Sequence, residues 1–252
     1  MIGLVAPSTI LIAAALKHLR HNRAPLIDLS LMRIHTFRSA LTGIAFHFTV
    51  LQSAPFLVPL LFEEVFHWSA VKAGSIVLFI FVGNVGAKSI TTNLYSRFGF
   101  RRVLAVSTSG LGLTMAVLGI IGTSTPVMAL AVILLLSGAA RSVGGTGYST
   151  VIFSDVPQAE MRHANTIFAT AQQLSAAWGV AAGAVALRLG RPVAGIFGGQ
   201  AGIHVDYMVA FLLMGCLALI ATVGALRMHP AAGDVLRVDR APVTDPEVAT
   251  TP

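Results

Sequence analysis

Apolar residues run in long, nearly uninterrupted stretches along this chain. They do not recur at the short spacings of a soluble amphipathic helix or strand. Six stretches, 38–62, 69–93, 103–123, 126–152, 163–189 and 206–227, each reach the ~20 residues needed to cross a bilayer as a helix. A seventh, within 1–17, is too short to cross. Basic residues follow it, at Lys17, Arg20 and Arg23, and none precedes it. That order is the reverse of a secretory signal, so 1–17 reads as the end of a truncated span. Residues 18–37 then read as a cytoplasmic linker and 38–228 as a six-helix transmembrane bundle. Residues 229–252, rich in Pro, Asp, Val and Thr without periodicity, read as a disordered cytoplasmic tail. The expected fold class is all-α integral membrane.

Polar residues inside the spans form a second pattern. The helix repeat puts residues three, four and seven apart on one side. In 38–62, Thr42, Thr49, Gln52 and Ser53 share a stripe. In 126–152 the stripe is Ser137, Gly138, Arg141, Gly144, Gly145 and Tyr148. In 163–189 it is Asn165, Ala169, Gln172, Ala176, Gly179 and Gly183, with Gln173 beside it. Span 206–227 has no strongly polar residue at its centre, and 103–123 has only small hydroxyls and glycines. The first, fourth and fifth spans therefore read as lining a polar pathway, the third and sixth as facing lipid. Small residues also let membrane helices approach, so the glycine and alanine ladders read first as packing. The glutamines fit packing or a cavity equally.

Composition supports the membrane reading. Of 252 residues, 55% are hydrophobic and 11% charged, against ~25% charged in a soluble domain. A net charge of +7 would suit nucleic acid, but the positions of the basic residues argue otherwise. With the loop 17–38 placed inside, twelve Lys and Arg fall on that side and three, Lys72, Arg188 and Arg191, on the other. This is the positive-inside bias; it puts the C-terminus in the cytoplasm and leaves no nucleic-acid partner to explain. The single cysteine, Cys216, lies in a span and cannot form an internal disulfide.

Arg141 sits within about 3 Å of the middle of its span, counted by helical rise. The acids of the chain are Asp28, Glu63, Glu64, Asp155, Glu160, Asp206, Asp234, Asp239, Asp245 and Glu247, and none lies in a span core. A charge so placed is costly and functional by default. Its expected partner is a carboxylate outside this chain, an anionic substrate group, or backbone and glutamine oxygens. The packing alternative has it bond carbonyls freed around Gly144 and Gly145. His47 lies off the Thr42 stripe and reads as a packed, hydrogen-bonded histidine rather than a proton carrier. Nothing points to catalysis. "GGTG" at 144–147 lacks the strand and lysine of a phosphate loop, and His18 and His21 lack a third metal ligand. No nucleophile sits with a base. No metal, no cofactor and no enzyme activity are expected.

Several segments resemble a known family. "SRFGFRRVL", Ser96 to Leu104, resembles the second-half copy of the loop signature of the major facilitator superfamily. "RAPLIDLSLMRIHTFRSA" resembles the linker before a late span of the fourteen-span drug:proton antiporters in that superfamily. "ARSVGGTGYSTVIFSDVPQAEMRHANTIFATAQQLSAAWGVAAGA" is similar to their late helix, loop and helix. The resemblance covers about residues 1–228. It implies the C-terminal six-helix half of a proton-coupled exporter of amphipathic small molecules, plus one partial span. Such a protein works by alternating access in the inner membrane and is driven by the proton gradient. Its partners are the lipid bilayer, the small-molecule substrate and an N-terminal half carrying the coupling carboxylates. The alternative is a chain that transports nothing itself and acts as a partner subunit. In the superfamily the first and fourth helices of each half line the cavity and the third and sixth face outward, matching the polar stripes. The pathway candidates are Arg141, Gln52, Thr49, Gln172, Gln173 and Tyr148. The resemblance adds a cytoplasmic gating loop of Lys88, Arg97, Gly99, Arg101 and Arg102. Topology by itself also accounts for those arginines, and Lys88, five residues from the inner end of its span, is within snorkelling reach of the surface.

Overall fold

Lipid offers no partner to backbone N–H and C=O groups, so an apolar run that enters a bilayer closes its own hydrogen bonds as a helix. The computed structural model describes residues 29–196 and 202–228, and shows one helix for each of the six long runs. They are α1 (His35–Glu64), α2 (Ala70–Phe98), α3 (Phe100–Ile120), α4 (Val127–Val151), α5 (Met161–Ile196) and α6 (Ile203–Leu226). Short 3-10 turns, Leu29–Arg33 and Gln158–Glu160, precede α1 and α5. No strand occurs among the described residues. The partial span 1–17, most of the linker 18–37 and the tail 229–252 lie outside the described residues. Five helices are long and apolar enough to cross a membrane by length and composition. The sixth, α5, is the longest at 36 residues, but it carries Asn165, Gln172 and Gln173.

Contacts at the helix ends show that successive helices alternate in direction. At one end His204 bonds the Ile121 carbonyl at 2.8 Å, and the Tyr207 hydroxyl donates to Glu64 Oε2 at 2.8 Å. The start of α6 thus meets the ends of α1 and α3. At the other end the Tyr95 hydroxyl donates to the Val143 carbonyl at 2.8 Å and the Tyr148 hydroxyl to the Ala221 carbonyl at 3.2 Å. Arg33, Arg38, Arg97, Arg101, Arg102, Arg162 and Arg227 gather at this second end, and Lys72 and Arg188 at the first.

The helices pair chiefly as α2 with α4, α3 with α6, and α1 with α5, and α1 also touches α4 and α6. Expected to face lipid, α3 and α6 also pack closely on each other. Each keeps a narrow apolar edge outside, Val106, Leu113 and Ile120 on α3 and Leu219, Ile220 and Val223 on α6. The helix with the most exposed surface is α2. The α2–α4 crossing is made by two glycines used reciprocally. A Cβ on Gly83 would overlap the Leu135 carbonyl, and one on Gly138 the Ile80 carbonyl. Backbone meets backbone there because neither residue has a side chain.

The expected loop at 94–102 is a single-residue corner. Gly99 ends α2 and starts α3 with φ 79° and ψ 158°, a conformation essentially reserved for glycine. Tyr95 stacks on Phe100 across the corner, 4.6 Å between ring centroids. Gly99→Ala should therefore cost about 1–3 kcal/mol, seen as a lower thermal unfolding midpoint of the detergent-purified protein. An unchanged midpoint would show that the corner does not depend on glycine.

Candidate functional site

Burial divides the bundle into two apolar cores. One contains Val50, Leu57 and Leu61 of α1, Ile80 of α2, Leu111 and Met115 of α3, Leu134 of α4 and Met214 of α6. The other contains Ile44 of α1, Ala87 and Tyr95 of α2, Leu104 of α3, Val143 and Tyr148 of α4 and Ala225 of α6. Between them, helix by helix, lies a polar layer. It comprises His47 on α1, Asn84 on α2, Ser107 and Thr108 on α3, Ser137, Arg141 and Ser142 on α4, and Thr222 on α6. On α5 the matching segment holds Gln172 and Ser175.

The centre of this belt is buried, and Asn84, Gln172 and Thr222 at its edges are half-buried. His47, Thr108 and Ser137 have no exposed surface, and Arg141 retains 6%. Part of the belt is satisfied locally. Thr108 donates to the Leu104 carbonyl at 2.8 Å and lies 2.9 Å from the Thr222 hydroxyl. Its centre is not. Among the described residues, the hydroxyls of Ser137 and Ser142 and one terminal guanidinium nitrogen of Arg141 find no hydrogen-bond partner, and the His47 ring makes no well-aligned one. His47 packs against Tyr148, 5.5 Å between centroids, and edge-on to Phe48 at 5.8 Å, and it stands beside Arg141. Gly144 makes this meeting of α1 and α4 possible, since a Cβ there would sit 2.6 Å from His47 Cε1 and 3.1 Å from Ser107 Oγ. The carboxylates among the described residues, Glu63, Glu64, Asp155, Glu160 and Asp206, all lie at helix ends or in turns. An unpaired buried polar group costs about 1–3 kcal/mol, and a charged one more. The belt is therefore a place where water or an anionic oxygen would be held strongly.

Arg141 lies inside the bundle rather than on an open face of it, with 6% of its surface exposed. The α4 stripe is also not one surface. Gly138 meets α2, Gly144 and Tyr148 meet α1, and Gly145 has nothing within 4 Å of a would-be Cβ. Tyr148 is fully buried, with its ring over Gly43 and its hydroxyl on α6; it ties three helices together. One terminal nitrogen of the Arg141 guanidinium finds no partner among the described residues. His47 is packed as expected, against Tyr148 and beside Arg141.

Thr49, Gln52 and Gln172 are half-buried, and Gln173 is exposed. A Cβ on Gly179 of α5 would overlap the Thr49 carbonyl and sit 3.1 Å from Gln52 Cβ, so these α1 and α5 residues share one seam. The Thr49 hydroxyl donates to the Ala45 carbonyl at 2.7 Å. Outside the seam runs an exposed band of Thr42, Asn165, Thr166, Ala169, Thr170 and Gln173. Thr166 and Thr170 bond their own helix. Asn165 and Gln173 make no hydrogen bond among the described residues.

The gating candidates surround the Gly99 corner. Arg97 and Arg102 are exposed and Arg101 half-buried, with the Arg97 guanidinium 5.5 Å from the Phe98 ring centroid. Lys88 is exposed on α2, but ten residues before the helix end rather than near it, because α2 continues through the polar run at 91–97. None of these four cations forms an ion pair among the described residues.

Sequence reasoning missed Asn84, Ser107, Thr108, Ser142 and Thr222. Their signal is faint: one small polar residue per span at a matching depth, which aligns into a layer only when the helices are set side by side.

A family model described as Major Facilitator Superfamily matches residues 4–180. The chain is 29% identical over 230 residues to the provisionally named multidrug resistance protein MdtD of Citrobacter koseri, covering 89% of this chain and 47% of that protein. It is 28% identical over 170 residues to the protein of that name in Pectobacterium carotovorum, covering 68% and 36%. It is 28% identical over 198 residues to that of Escherichia coli O6:H1, covering 79% and 41%. The chain thus spans about half the length, or less, of these curated relatives.

Proposed function

Because the chain belongs to the Major Facilitator Superfamily, we propose that its six helices form one wall of a pathway that exports amphipathic, drug-like small molecules. Transport on this reading proceeds by alternating access and is driven by the proton gradient, with no bound cofactor. The observation that carries the proposal is the exposed band on α1 and α5. Asn165 and Gln173 lie on the outside of membrane helices with no hydrogen-bond partner among the described residues. Lipid cannot satisfy side-chain amides, whereas a water-filled pathway or a facing polar wall can. The name of the relatives, multidrug resistance, supports drug-like substrates. The cores of the described spans contain no carboxylate, so on this reading the coupling carboxylates belong to a second six-helix unit that faces this one. The excess of arginine at one end of the bundle supports a cytoplasmic C-terminus in an inner membrane.

Thiol labelling tests the pathway wall, because maleimides need a water-exposed thiolate. With Cys216 replaced by serine, Gln173→Cys in native membranes should react with a water-soluble maleimide about tenfold faster than Leu219→Cys, which sits in lipid. Equal rates would place the amide band in lipid and reject the pathway.

A further inference from the structure

A groove of about 680 Å³ lies among α2, α3 and α4, on a side of the bundle to which α5 contributes nothing. Its walls include Ile90, Leu94, Val106, Leu113 and Leu136, and Arg102 stands at one end. Two hydroxyls also reach it, those of Ser107 and Thr114, but both donate to carbonyls of their own helix. The groove is therefore apolar along its length and cationic at one mouth.

Its dimensions match one membrane leaflet. From Arg102 to Thr114 the α3 backbone rises about 18 Å, and half of the hydrocarbon core is about 15 Å. The groove begins at the basic end of the bundle, beside Arg97 and Arg101, and ends near the middle of the membrane. It opens sideways, since Ile90, Val106, Leu113 and Leu136 are more than half exposed. Arg102 is exposed and has no carboxylate partner among the described residues.

We propose that this groove seats one acyl chain of an anionic phospholipid, with its phosphate paired to Arg102. The guanidinium fork matches phosphate oxygens, and basic positions between helices at a membrane surface attract anionic headgroups. A zwitterionic lipid would fill the groove but pair less well with the arginine, and an amphipathic cation would be repelled by it. The site is independent of the transport reading.

Native mass spectrometry of the purified full chain tests the proposal. The chain is extracted from nanodiscs in which phosphatidylglycerol is the minor lipid in phosphatidylcholine. The wild type should retain phosphatidylglycerol in preference to phosphatidylcholine. Arg102→Gln should lower that retention about fivefold. Val106→Trp fills the groove and leaves the charge in place; at 72% exposure it disturbs no core contact. It should lower retention comparably. Undiminished retention in either variant would overturn the site, as would equal retention of the two lipids. Displacement of phosphatidylglycerol from the wild type by tetraphenylphosphonium would assign the groove to an amphipathic cation instead.

Discussion

Leucine at Gly138 should leave little folded protein. Even the first carbon of the new side chain would overlap the Ile80 carbonyl and sit 3.0 Å from the Asn84 nitrogen. Overpacking a core costs about 1–3 kcal/mol when side chains can shift. Here the obstacle is the backbone of α2, so the cost exceeds that range. It falls on a total stability of only about 5–15 kcal/mol. Gly83 makes the matching contact with α4, so the crossing cannot open at one residue without opening at the other. The comparison variant is Gly145→Leu, seven residues along the same helix, where nothing lies within 4 Å. Leucine there should be neutral or gain up to about 1 kcal/mol in helix propensity. Monodisperse yield and unfolding midpoint in detergent report both. Normal folding of Gly138→Leu would disprove the close α2–α4 crossing.

Methionine at Arg141 should separate transport from stability. Arg141 is 6% exposed, with one guanidinium nitrogen unbonded and no carboxylate partner among the described residues. Replacing a buried charge by an apolar side chain of similar length is often neutral or stabilising, by about 1–4 kcal/mol. The folded yield and unfolding midpoint of Arg141→Met should therefore hold or rise. If the belt serves transport, uncoupler-sensitive export per folded molecule should fall below about a tenth of wild type, in line with an intramembrane charge retained for function. Arg141→Ala is a poorer probe, because it also leaves a cavity. Export at the wild-type rate by the methionine variant would show that the belt tolerates Arg141 without using it.

Both predictions concern α4, whose residues look alike in sequence and differ in the fold. Ser137, Gly138, Arg141, Gly144, Gly145 and Tyr148 fall on one arc of a helical wheel. Yet Gly138 is a backbone contact with α2, Gly144 makes room for His47, Gly145 is open, and Tyr148 bonds α6. A wheel separates two sides of a helix, but a helix packed against three others meets a different neighbour on each side. The α1 and α5 candidates were more legible. Thr49 and all three glutamines read as pathway candidates, with packing as the equal alternative for the glutamines; Thr49, Gln52 and Gln172 are half-buried where α1 meets α5, and Gln173 is exposed beside them.

The amino-acid sequence by itself determined that the chain is a set of membrane helices, how many long ones there are and which ends carry the arginines. Those properties follow from transfer energies and charge, which act on each segment without reference to the others. Gly99 is an intermediate case. Its place between basic residues was visible, but the one-residue corner with positive φ was not, because a glycine also fits an ordinary loop. Only the tertiary structure decided that α3 and α6 cover each other, that Arg141 turns inward to His47, and that single hydroxyls on separate spans form a belt between two apolar cores. Each of these depends on the relative rotation and depth of neighbouring helices. Helical periodicity orders residues around one axis, and it carries no term for which neighbour stands at which angle.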